Sequence, residues 1–591
     1  MRTPKITLRK IYSGDRVAEI GDDTITISVN VNLSEKKALA SARKLLRKGE
    51  KPVRLTISLC PECYEEKKYS EMRVPALIFE RDSEIWMRKK CSKHGTIEEK
   101  YWEDAGYYYR QMFYADPGIE LEKVQVDKPL RELRCPLDCG LCNQHKSHTS
   151  LANIVVTNRC DLTCWYCFFY AKKNDPIYEP SMEQIRKMLR VLRSERPVSP
   201  NAVQLTGGEP ALRKDIVDIV KLCREEGFEH VQFNTNAIEL SRKPALAKKL
   251  VDAGANVLYL SFDGVTPQSN PKNFWEIPKA IENVRKAKNC GVVLVPTVIN
   301  GVNTHEIGDI IRYAAAKVDI VRGVNFQPVS LVGMMPHNER KKQRITIPKT
   351  IKLIEEQTSG QITLDDFYTV PCVTAITNFV ESITQKPEYR FSTHFVCGAA
   401  TYAFIDEKND FVPITRFVDV EGLFDYLNGL SRQIKKMPIK SVGKVISASR
   451  LLYNLNSFID RGKQPKNLEL GKLLTRALIS GTYDGLKEFH YKSLFLGMMH
   501  FQDLYNFDVD RVERCCIHYA LPDGRIVPFC AHNVVPELYR DKVQREYSIS
   551  PKEWEKRNHA KLKDDRYVRK VTEKDTKRIQ KHYRDAIEKF K

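Results

Sequence analysis

Between residues 152 and 330 the chain alternates short apolar runs with amphipathic stretches of helical period. Six runs have the length of buried strands. They are ANIVVT (152–157), AVQLT (202–206), HVQFN (230–234), NVLYLSF (256–262), GVVLVPTV (291–298) and RGVNFQPVS (322–330). Strands separated by helices pair in parallel, so the pattern predicts an α/β fold, a partial (β/α)6 barrel. Its chemistry is expected at the carboxyl ends of the strands.

The 591 residues carry 96 Lys and Arg against 75 Asp and Glu, a net charge of +21. No run approaches the ~20 apolar residues of a membrane span, and no apolar stretch follows the charged first residues. We therefore expect neither an integral membrane protein nor a secreted one, and we predict a cytoplasmic location. So basic a surface favours polyanionic partners: nucleic acid, anionic phospholipid or phosphorylated substrates.

The sixteen cysteines are largely grouped by spacing, which in an intracellular protein is typical of metal sites. The sharpest group is Cys160, Cys164 and Cys167, directly after the first predicted strand. This spacing would also line one face of a helix, but the position after a strand favours a loop. Three thiolates suit a [4Fe–4S] cluster that keeps one iron open for a non-protein ligand.

This CxxxCxxC spacing after the first strand of a βα series resembles the radical S-adenosylmethionine (SAM) superfamily. The resemblance implies that Cys160, Cys164 and Cys167 hold the catalytic cluster, whose open iron chelates SAM. It also implies that Tyr166 packs on the adenine. One electron would cleave SAM to methionine and a 5′-deoxyadenosyl radical, while the barrel supplies orientation and excludes water.

The second predicted strand ends in TGGEP, similar to the motif that contacts the methionyl end of SAM in that superfamily. Gly207 and Gly208 allow backbone to approach a ligand closely, and Glu209 offers an acceptor for a cationic amine. Further polar side chains at strand ends are expected either to reach the SAM ribose or carboxylate, or to cap the chain locally. They are Asn234, Asn236, Ser261, Asp263 and Gln327.

A second group consists of a CxxC turn, Cys60 and Cys63, followed by Cys91 and His94. Two such knuckles hold one tetrahedral ion in rubredoxin-like and zinc-ribbon sites. The spacing predicts a mononuclear iron or zinc and does not separate the two metals. The alternative is a stray cysteine pair beside a core histidine.

A third group, Cys135, Cys139 and Cys142, repeats the CxxxCxxC spacing shortly before the first group. The repeated spacing predicts an auxiliary [4Fe–4S] cluster. Its fourth ligand is expected to be His145, His148 or a distant cysteine, and a histidine is favoured.

The second half of the chain holds four cysteines that we expect to bind a third [4Fe–4S] cluster, although no short spacing links them. They are Cys372, Cys397, Cys516 and Cys530. Cys530 ends the hairpin-like DGRIVPFC, a segment with which auxiliary-cluster domains of radical SAM enzymes often end. Cys515 is adjacent to Cys516, and we do not expect one cluster to use both. Cys223 and Cys290 stand alone and are interpreted as core residues.

The predicted organisation follows from these groups. It consists of a basic N-terminal region (1–55), a rubredoxin-like metal module (56–130), an auxiliary cluster segment (131–150), a radical SAM core (151–335), a mostly helical auxiliary-cluster and substrate region (336–540) and a charged helical tail (541–591). Residues 433–500 are both basic and apolar. They could lie at a membrane surface or form an ordinary helical subdomain.

The stretch CPLDCGLCNQHKSHTSLANIVVTNRCDLTCWYCFFYAKK, together with CPEC, CSKHG and TGGEP, resembles the archaeal tetraether lipid synthase family. That resemblance implies coupling of phytanyl chains of archaeal diether phospholipids by sp3 C–C bond formation. It also implies a low-potential electron donor such as ferredoxin, and a cytoplasmic enzyme at the inner face of the membrane. A basic surface agrees with an anionic lipid.

Two other functions remain open from the sequence. The chain could be a radical SAM enzyme that modifies a peptide, a protein or a tRNA, since a basic surface also suits RNA. It could instead be a non-enzymatic iron–sulfur electron carrier or a zinc-ribbon nucleic-acid-binding protein. TGGEP and the six strand–helix units disfavour the carrier, which needs neither.

Overall fold

The computed structural model describes residues 26–27, 40–130, 132–169, 176–336, 338–437, 449–451, 453–466, 468–472 and 493–591. The segment 433–500, predicted to be either a membrane-surface element or a helical subdomain, lies largely outside these residues. Most of the region 1–55 does so too. No helix in the described part of the chain is long and apolar enough to cross a bilayer.

The strands are β1 (Thr26–Ile27), β2 (Lys51–Leu59), β3 (Arg73–Arg81), β4 (Glu84–Cys91), β5 (Gly95–Trp102), β6 (Leu151–Thr157), β7 (Ala202–Gly207), β8 (His230–Thr235), β9 (Val257–Ser261), β10 (Gly291–Val295), β11 (Thr297–Val298), β12 (Val321–Pro328), β13 (Tyr368–Thr369), β14 (Gly398–Ile405), β15 (Phe411–Pro413), β16 (Leu494–Met499), β17 (Ile517–Ala520) and β18 (Ile526–Pro528).

The α-helices are α1 (Pro61–Glu65), α2 (Ala105–Met112), α3 (Met182–Arg193), α4 (Ile216–Glu225), α5 (Ile238–Arg242), α6 (Pro244–Asp252), α7 (Ile277–Ala287), α8 (Ile307–Ala315), α9 (Arg340–Gln343), α10 (Ile347–Gln357), α11 (Thr374–Thr384), α12 (Val420–Lys436), α13 (Val509–Glu513), α14 (Phe529–Val534), α15 (Arg540–Tyr547), α16 (Pro551–Asn558) and α17 (Glu573–Ile587). Short 3-10 helices include Pro210–Leu212 and Val370–Val373.

The six apolar runs predicted to be strands are confirmed as β6, β7, β8, β9, β10 and β12, and β10 is followed by the short β11. They lie side by side in the order β6-β7-β8-β9-β10-β12, all parallel. Their carboxyl ends therefore meet along one edge, as the sequence pattern predicts. The curvature of the sheet into a partial barrel stays a prediction.

The helix α3 illustrates how the sequence builds the layer that packs on this sheet. Ser181 caps its first turn in a capping box with Gln184, which satisfies backbone N–H groups that have no partner within the helix. Ile185, Leu189 and Leu192 follow at a spacing of three and four residues and are fully buried. The apolar stripe of the helix thus faces the core.

The sheet extends further than the sequence predicts. The strand β16 pairs in parallel with β12, and β17 pairs in parallel with β6. The antiparallel strands β14 and β18 lie outside them. Residues of the region 336–540 therefore extend the sheet on both sides, in addition to the helices α9 to α14 that the region also contains.

The strands β1 to β5 form a separate five-stranded sheet. A buried cluster joins it to α13: Arg54 on β2 forms an ion pair with Asp508, whose other oxygen accepts a hydrogen bond from Thr56 at 2.7 Å. Tyr101 also donates to Asp508, at 2.9 Å. Asp508 in turn caps α13 by accepting from the Asp510 N–H. The small sheet is thereby fixed beside the segment that contains Cys515 and Cys516.

Candidate metal and cofactor sites

The first candidate site is formed by Cys60, Cys63, Cys91 and His94, whose ligand atoms all lie within 4.8 Å of one another. The distance between the sulfurs of Cys63 and Cys91 is 3.7 Å, and His94 Nδ1 lies 3.4 Å from the sulfurs of both Cys60 and Cys63. A tetrahedral ion with ordinary metal–ligand lengths requires separations of about 3.8 Å for S···S and about 3.5 Å for S···N. The four residues therefore fit one tetrahedral metal ion.

The second ring nitrogen of His94 also has a hydrogen-bond partner. His94 Nε2 lies 3.2 Å from a carboxylate oxygen of Glu66. The hydrogen bond with Cys91, and after it the one with Glu66, raise the pKa of the histidine. A carboxylate on the second nitrogen fixes the ring orientation of a metal-binding histidine.

The second candidate site lies at the carboxyl edge of the parallel sheet. Cys160, Cys164 and Cys167 are in the loop that leaves β6, as predicted, and all three are partly exposed. Burial raises the pKa of Cys164 to about 11. A thiol with a raised pKa binds a metal only after it loses its proton, and the positive charge of an iron–sulfur cluster favours that loss.

The loop is held by the two glycines of TGGEP. Gly208 N–H donates to Thr157 O at 2.9 Å, and Glu209 N–H donates to Arg159 O at 2.7 Å. A Cβ on Gly207 would lie 2.1 Å from Thr157 O, and one on Gly208 would lie 2.1 Å from Arg159 O. The close approach that requires glycine is thus made by the chain itself at the start of the cysteine loop.

Glu209 is fully buried and its carboxylate is engaged within the protein. It accepts from Ala211 N–H at 3.0 Å, Asn236 N–H at 2.7 Å and the Thr235 hydroxyl at 2.8 Å. Burial and the nearby Asp161 raise its pKa to about 8. Its described contacts are those of a group that joins the ends of β7 and β8.

Asp161, inside the cysteine loop, has one free oxygen. Asn236 donates to its Oδ1 at 2.6 Å, while its buried Oδ2 has no hydrogen-bond partner among the described residues. Burial raises its pKa to about 6. Sequence reasoning overlooked this residue although it lies within the CxxxCxxC motif.

Tyr166 belongs to a buried polar group at the end of β9. Its hydroxyl donates to Asp263 and lies 3.1 Å from Lys272 Nζ, which forms a 2.6 Å ion pair with Asp263. Lys272 also donates to Ser261. Lys272 thus contacts three residues that were predicted to bind SAM: Tyr166, Ser261 and Asp263. No sequence motif marks this lysine.

The remaining predicted SAM contacts lie along the same edge. Asn234 is on β8, where its Oδ1 is 3.4 Å from Gln232 Nε2. Gln327 is on β12, and its backbone N–H donates to Pro296 O at 2.8 Å. No described contact fixes a cofactor role for either, so their assignment stays a prediction.

The third candidate site is a pocket lined by Cys135, Cys139, Cys142, His145 and Glu513. The neighbouring Cys139 and burial raise the pKa of Cys135, and burial raises that of Cys142 to about 11. Burial also raises the pKa of Glu513 to about 8. Three thiols around one pocket form a donor set that fits an iron–sulfur cluster.

The four cysteines predicted to bind a third cluster do not all lie together, and that cluster stays a prediction. Cys397, Cys515 and Cys530 are close enough for their charges to interact: burial and the charges of Cys530, Cys516 and Cys397 raise the pKa of Cys515. Arg511 Nε donates to Cys397 Sγ at 3.3 Å. Both adjacent cysteines therefore lie in this group, whereas the sequence argument left Cys515 out.

Cys372 lies elsewhere. Burial alone raises its pKa to about 12, and no thiol contributes. It is on the 3-10 helix Val370–Val373, and its charge interacts with Tyr107. Cys223 and Cys290 are buried in the main core, which agrees with their interpretation as core residues.

Two family models match the chain. The model described as the radical SAM superfamily matches residues 154–314, and the HMPTM N-terminal zinc ribbon domain matches residues 52–103. A relative, 7,8-dihydro-6-hydroxymethylpterin dimethyltransferase of Methanocaldococcus jannaschii, is 45% identical over 518 residues, which are 86% of this chain and 99% of that protein.

The chain belongs to this family of radical SAM enzymes. The family uses a [4Fe–4S] cluster and SAM, and the Cys60 site in the zinc-ribbon domain fits a mononuclear metal. The superfamily, the α/β fold and the cofactors are thus as expected from the sequence. The interpretation of the chain as a non-enzymatic electron carrier or a nucleic-acid-binding module is therefore wrong.

More distant relatives match a smaller share of the chain. A probable GTP 3′,8-cyclase of Archaeoglobus fulgidus is 32% identical over 170 residues, which are 27% of this chain and 53% of that protein. Among solved structures, native anSMEcpe with bound AdoMet is 13% identical with a TM-score of 0.28, covering 52% of this chain and 98% of that chain. So low a TM-score carries no argument.

The expected lipid chemistry is contradicted by the M. jannaschii relative. Its name gives a pterin as the substrate and methyl transfer as the reaction, over almost its whole length. Coupling of phytanyl chains, and a diether phospholipid as substrate, are therefore corrected. The resemblance to tetraether lipid synthase is not confirmed. The motifs behind it lie in the cofactor-binding segments and do not define a substrate.

Proposed function

We propose that this protein is a methyltransferase that uses radical SAM chemistry on a pterin, either 7,8-dihydro-6-hydroxymethylpterin or a close analogue. The observation that carries the proposal is the 45% identity that extends over 99% of the dimethyltransferase. The match goes far beyond the superfamily segment 154–314, so it includes the chain segments that would surround a substrate.

The residues at the carboxyl edge of the sheet have separate roles in this proposal. Cys160, Cys164 and Cys167 would hold the cluster, which with SAM supplies a 5′-deoxyadenosyl radical when both are bound. Gly207 and Gly208 keep the cysteine loop in register with β7. The segment Asp565–Tyr567 lies against this loop and would shield that side of it from water.

The binding of SAM is assigned to side chains that the fold leaves available. Asp161 would accept from the SAM amine, because its Oδ2 is buried without a partner whereas Glu209 is engaged by three donors. Tyr166 would pack on the adenine, with its ring held by Asp263 and Lys272. The strand-end residues Asn234, Asn236, Ser261 and Gln327 stay candidates for the ribose and carboxylate.

Two auxiliary clusters belong to the same proposal. One would be held by Cys135, Cys139 and Cys142, and the other by the group around Arg511, with Cys397, Cys530 and the adjacent cysteines 515 and 516. The first cluster is supported by the pocket that its three cysteines share. The second is supported by the effect of the neighbouring cysteines on the pKa of Cys515. Cys372 is not included.

The experiment is SAM cleavage by the reconstituted enzyme under anaerobic conditions with dithionite, with and without the pterin. We expect 5′-deoxyadenosine to form faster when the pterin is present, and to be absent with Cys164→Ala. A rate of SAM cleavage that does not depend on the pterin would contradict the substrate assignment.

The assignment of Asp161 to the SAM amine is tested with Asp161→Asn. We expect this variant to bind SAM about 10-fold more weakly, the effect of a lost charge-assisted hydrogen bond, while its iron content stays unchanged.

A further inference from the structure

The pocket of the third candidate site contains one buried carboxylate that has no hydrogen-bond donor among the described residues. Glu513 ends the helix α13 and is 1% exposed. Neither of its carboxylate oxygens has a hydrogen-bond partner among the described residues. Lys146 Nζ forms an ion pair with it at 3.6 Å, a distance too long for a hydrogen bond.

A buried carboxylate without donors is costly to desolvate, so such a group is expected to bind a metal or another cation. Backbone contacts hold Glu513 in this place: its carbonyl accepts from Lys146 N–H at 2.7 Å, which fixes α13 to the loop of the cysteines. Glu513 lines the same pocket as Cys135, Cys139 and Cys142. Its carboxylate therefore lies beside the thiols.

The histidines expected as fourth ligands are less available. His148 uses both ring nitrogens, because Nε2 accepts from the Arg390 N–H at 2.8 Å and Nδ1 lies 3.3 Å from a backbone carbonyl. His145 Nε2 is 2.9 Å from Cys515 O and 3.0 Å from His518 Nε2. This nitrogen is committed within the protein, and only Nδ1 of His145 could reach a metal.

We propose that Glu513 is the fourth protein ligand of the auxiliary [4Fe–4S] cluster held by Cys135, Cys139 and Cys142. The inference rests on the auxiliary cluster of the proposed function. A carboxylate donates less electron density than a thiolate, so a cluster with this ligand has a higher reduction potential than one with four cysteines. It also leaves an iron whose protein ligand can be exchanged.

The test uses the full chain with Cys160, Cys164 and Cys167 changed to Ser, which removes the SAM cluster and its signal. In this background Glu513→Gln keeps the shape of the side chain, and Glu513→Cys restores a four-thiolate set. Glu120→Gln, at an exposed carboxylate, is the matched control. Each protein is measured for iron and sulfide, by EPR with pulsed detection of nitrogen coupling, and by redox titration.

We expect no imidazole nitrogen coupling on this cluster, altered g values in Glu513→Gln, and a lower midpoint potential with unchanged iron content in Glu513→Cys. Glu120→Gln should match its parent. Nitrogen coupling that is lost in His145→Ala would overturn the proposal in favour of the histidine. Unchanged g values and potential in both Glu513 variants would also overturn it.

Failure of the cluster itself is recognised separately. If changing Cys135, Cys139 and Cys142 to Ala removes no iron from the same background, no cluster is bound there, and the auxiliary-cluster part of the proposed function falls together with the ligand assignment. Loss of iron in that variant with insensitive Glu513 variants overturns only the role of Glu513. Circular dichroism confirms that each variant is folded.

Discussion

At the scale of single residues, the structure gives the two glycines of TGGEP a role that differs from the predicted one. The sequence predicts that Gly207 and Gly208 let backbone approach a ligand. In the structure the backbone that approaches them is that of Thr157 and Arg159, at the root of the cysteine loop. Both uses need the absence of a Cβ, and the sequence pattern is the same for both.

Gly208→Ala is therefore expected to displace the cysteine loop, because the new Cβ would lie 2.1 Å from Arg159 O. We expect loss of at least half of the iron of the SAM cluster and a clear loss of 5′-deoxyadenosine formation. Iron analysis and product chromatography measure the two effects.

The matched control is Gly429→Ala on α12, where nothing lies within 4 Å of the added Cβ. Alanine in a helix interior should stabilise by up to about 1 kcal/mol. A Gly208→Ala protein with the full iron content and activity of its parent would show that the loop does not depend on this close contact.

Glu195 provides a residue-level test of buried charge. Its carboxylate accepts from the Thr149 N–H and hydroxyl, at 3.0 Å and 2.6 Å, and burial raises its pKa to about 7. An acid with a raised pKa binds more protons folded than unfolded, so its contribution is fully present below about pH 4.5 and is lost as the pH rises through 7.

The comparison is between the parent and Glu195→Gln, followed by thermal unfolding from pH 4.5 to 8. We expect the parent to lose up to about 3 kcal/mol relative to the variant over this range, the free energy of a 2.5-unit shift. A constant difference between the two proteins at every pH would contradict the shifted pKa.

At the scale of helices and strands, periodicity predicted the six central strands, because a buried parallel strand and its helix are each recognisable locally. It did not predict β16 or β17. The residues of β16 (Leu494–Met499) end a basic, apolar stretch that reads equally well as a helix, and their place beside β12 is decided by pairing across 170 residues. The pairing of β17 with β6 is equally non-local.

The charged C-terminal tail is another element whose role the sequence conceals. On α17, Tyr583 is 1% exposed, its ring lies 4.8 Å from that of Phe274 and 4.6 Å from that of Tyr313, and its hydroxyl donates to Phe274 O. Only a few apolar residues mark the buried face of this helix, so the sequence predicts a charged helical tail without showing that it packs on the core.

We expect Tyr583→Ala to lower the free energy of unfolding by about 3–5 kcal/mol, as for other buried aromatic side chains. Arg578→Ala on the exposed face of the same helix is the control and should change it by less than about 0.5 kcal/mol. Denaturant titration gives both values. Equal, small effects of the two substitutions would mean that the helix does not pack on the core.

At the scale of the whole molecule, the sequence defines the cofactors better than the substrate. Cluster ligands occur at short, fixed spacing, and the set of Cys60, Cys63, Cys91 and His94 can be read almost directly. Glu513 could not be found in this way, because it is nearly 400 residues from the thiols it accompanies and belongs to no motif. A substrate pocket likewise draws on segments from the whole chain, and the lipid expectation was wrong at this level.

Whether the chain methylates a pterin is measured by the mass of the pterin after the reaction. Reconstituted enzyme, SAM, reductant and 7,8-dihydro-6-hydroxymethylpterin are incubated anaerobically with a methyl donor, which is excess SAM in one reaction and a reduced one-carbon carrier in a second, and Cys164→Ala is the control. We expect a pterin heavier by one or two methylene units in at least one of the two reactions, formed together with 5′-deoxyadenosine only by the parent. An unchanged pterin in both reactions, although 5′-deoxyadenosine is produced, would show that the pterin is not the methyl acceptor.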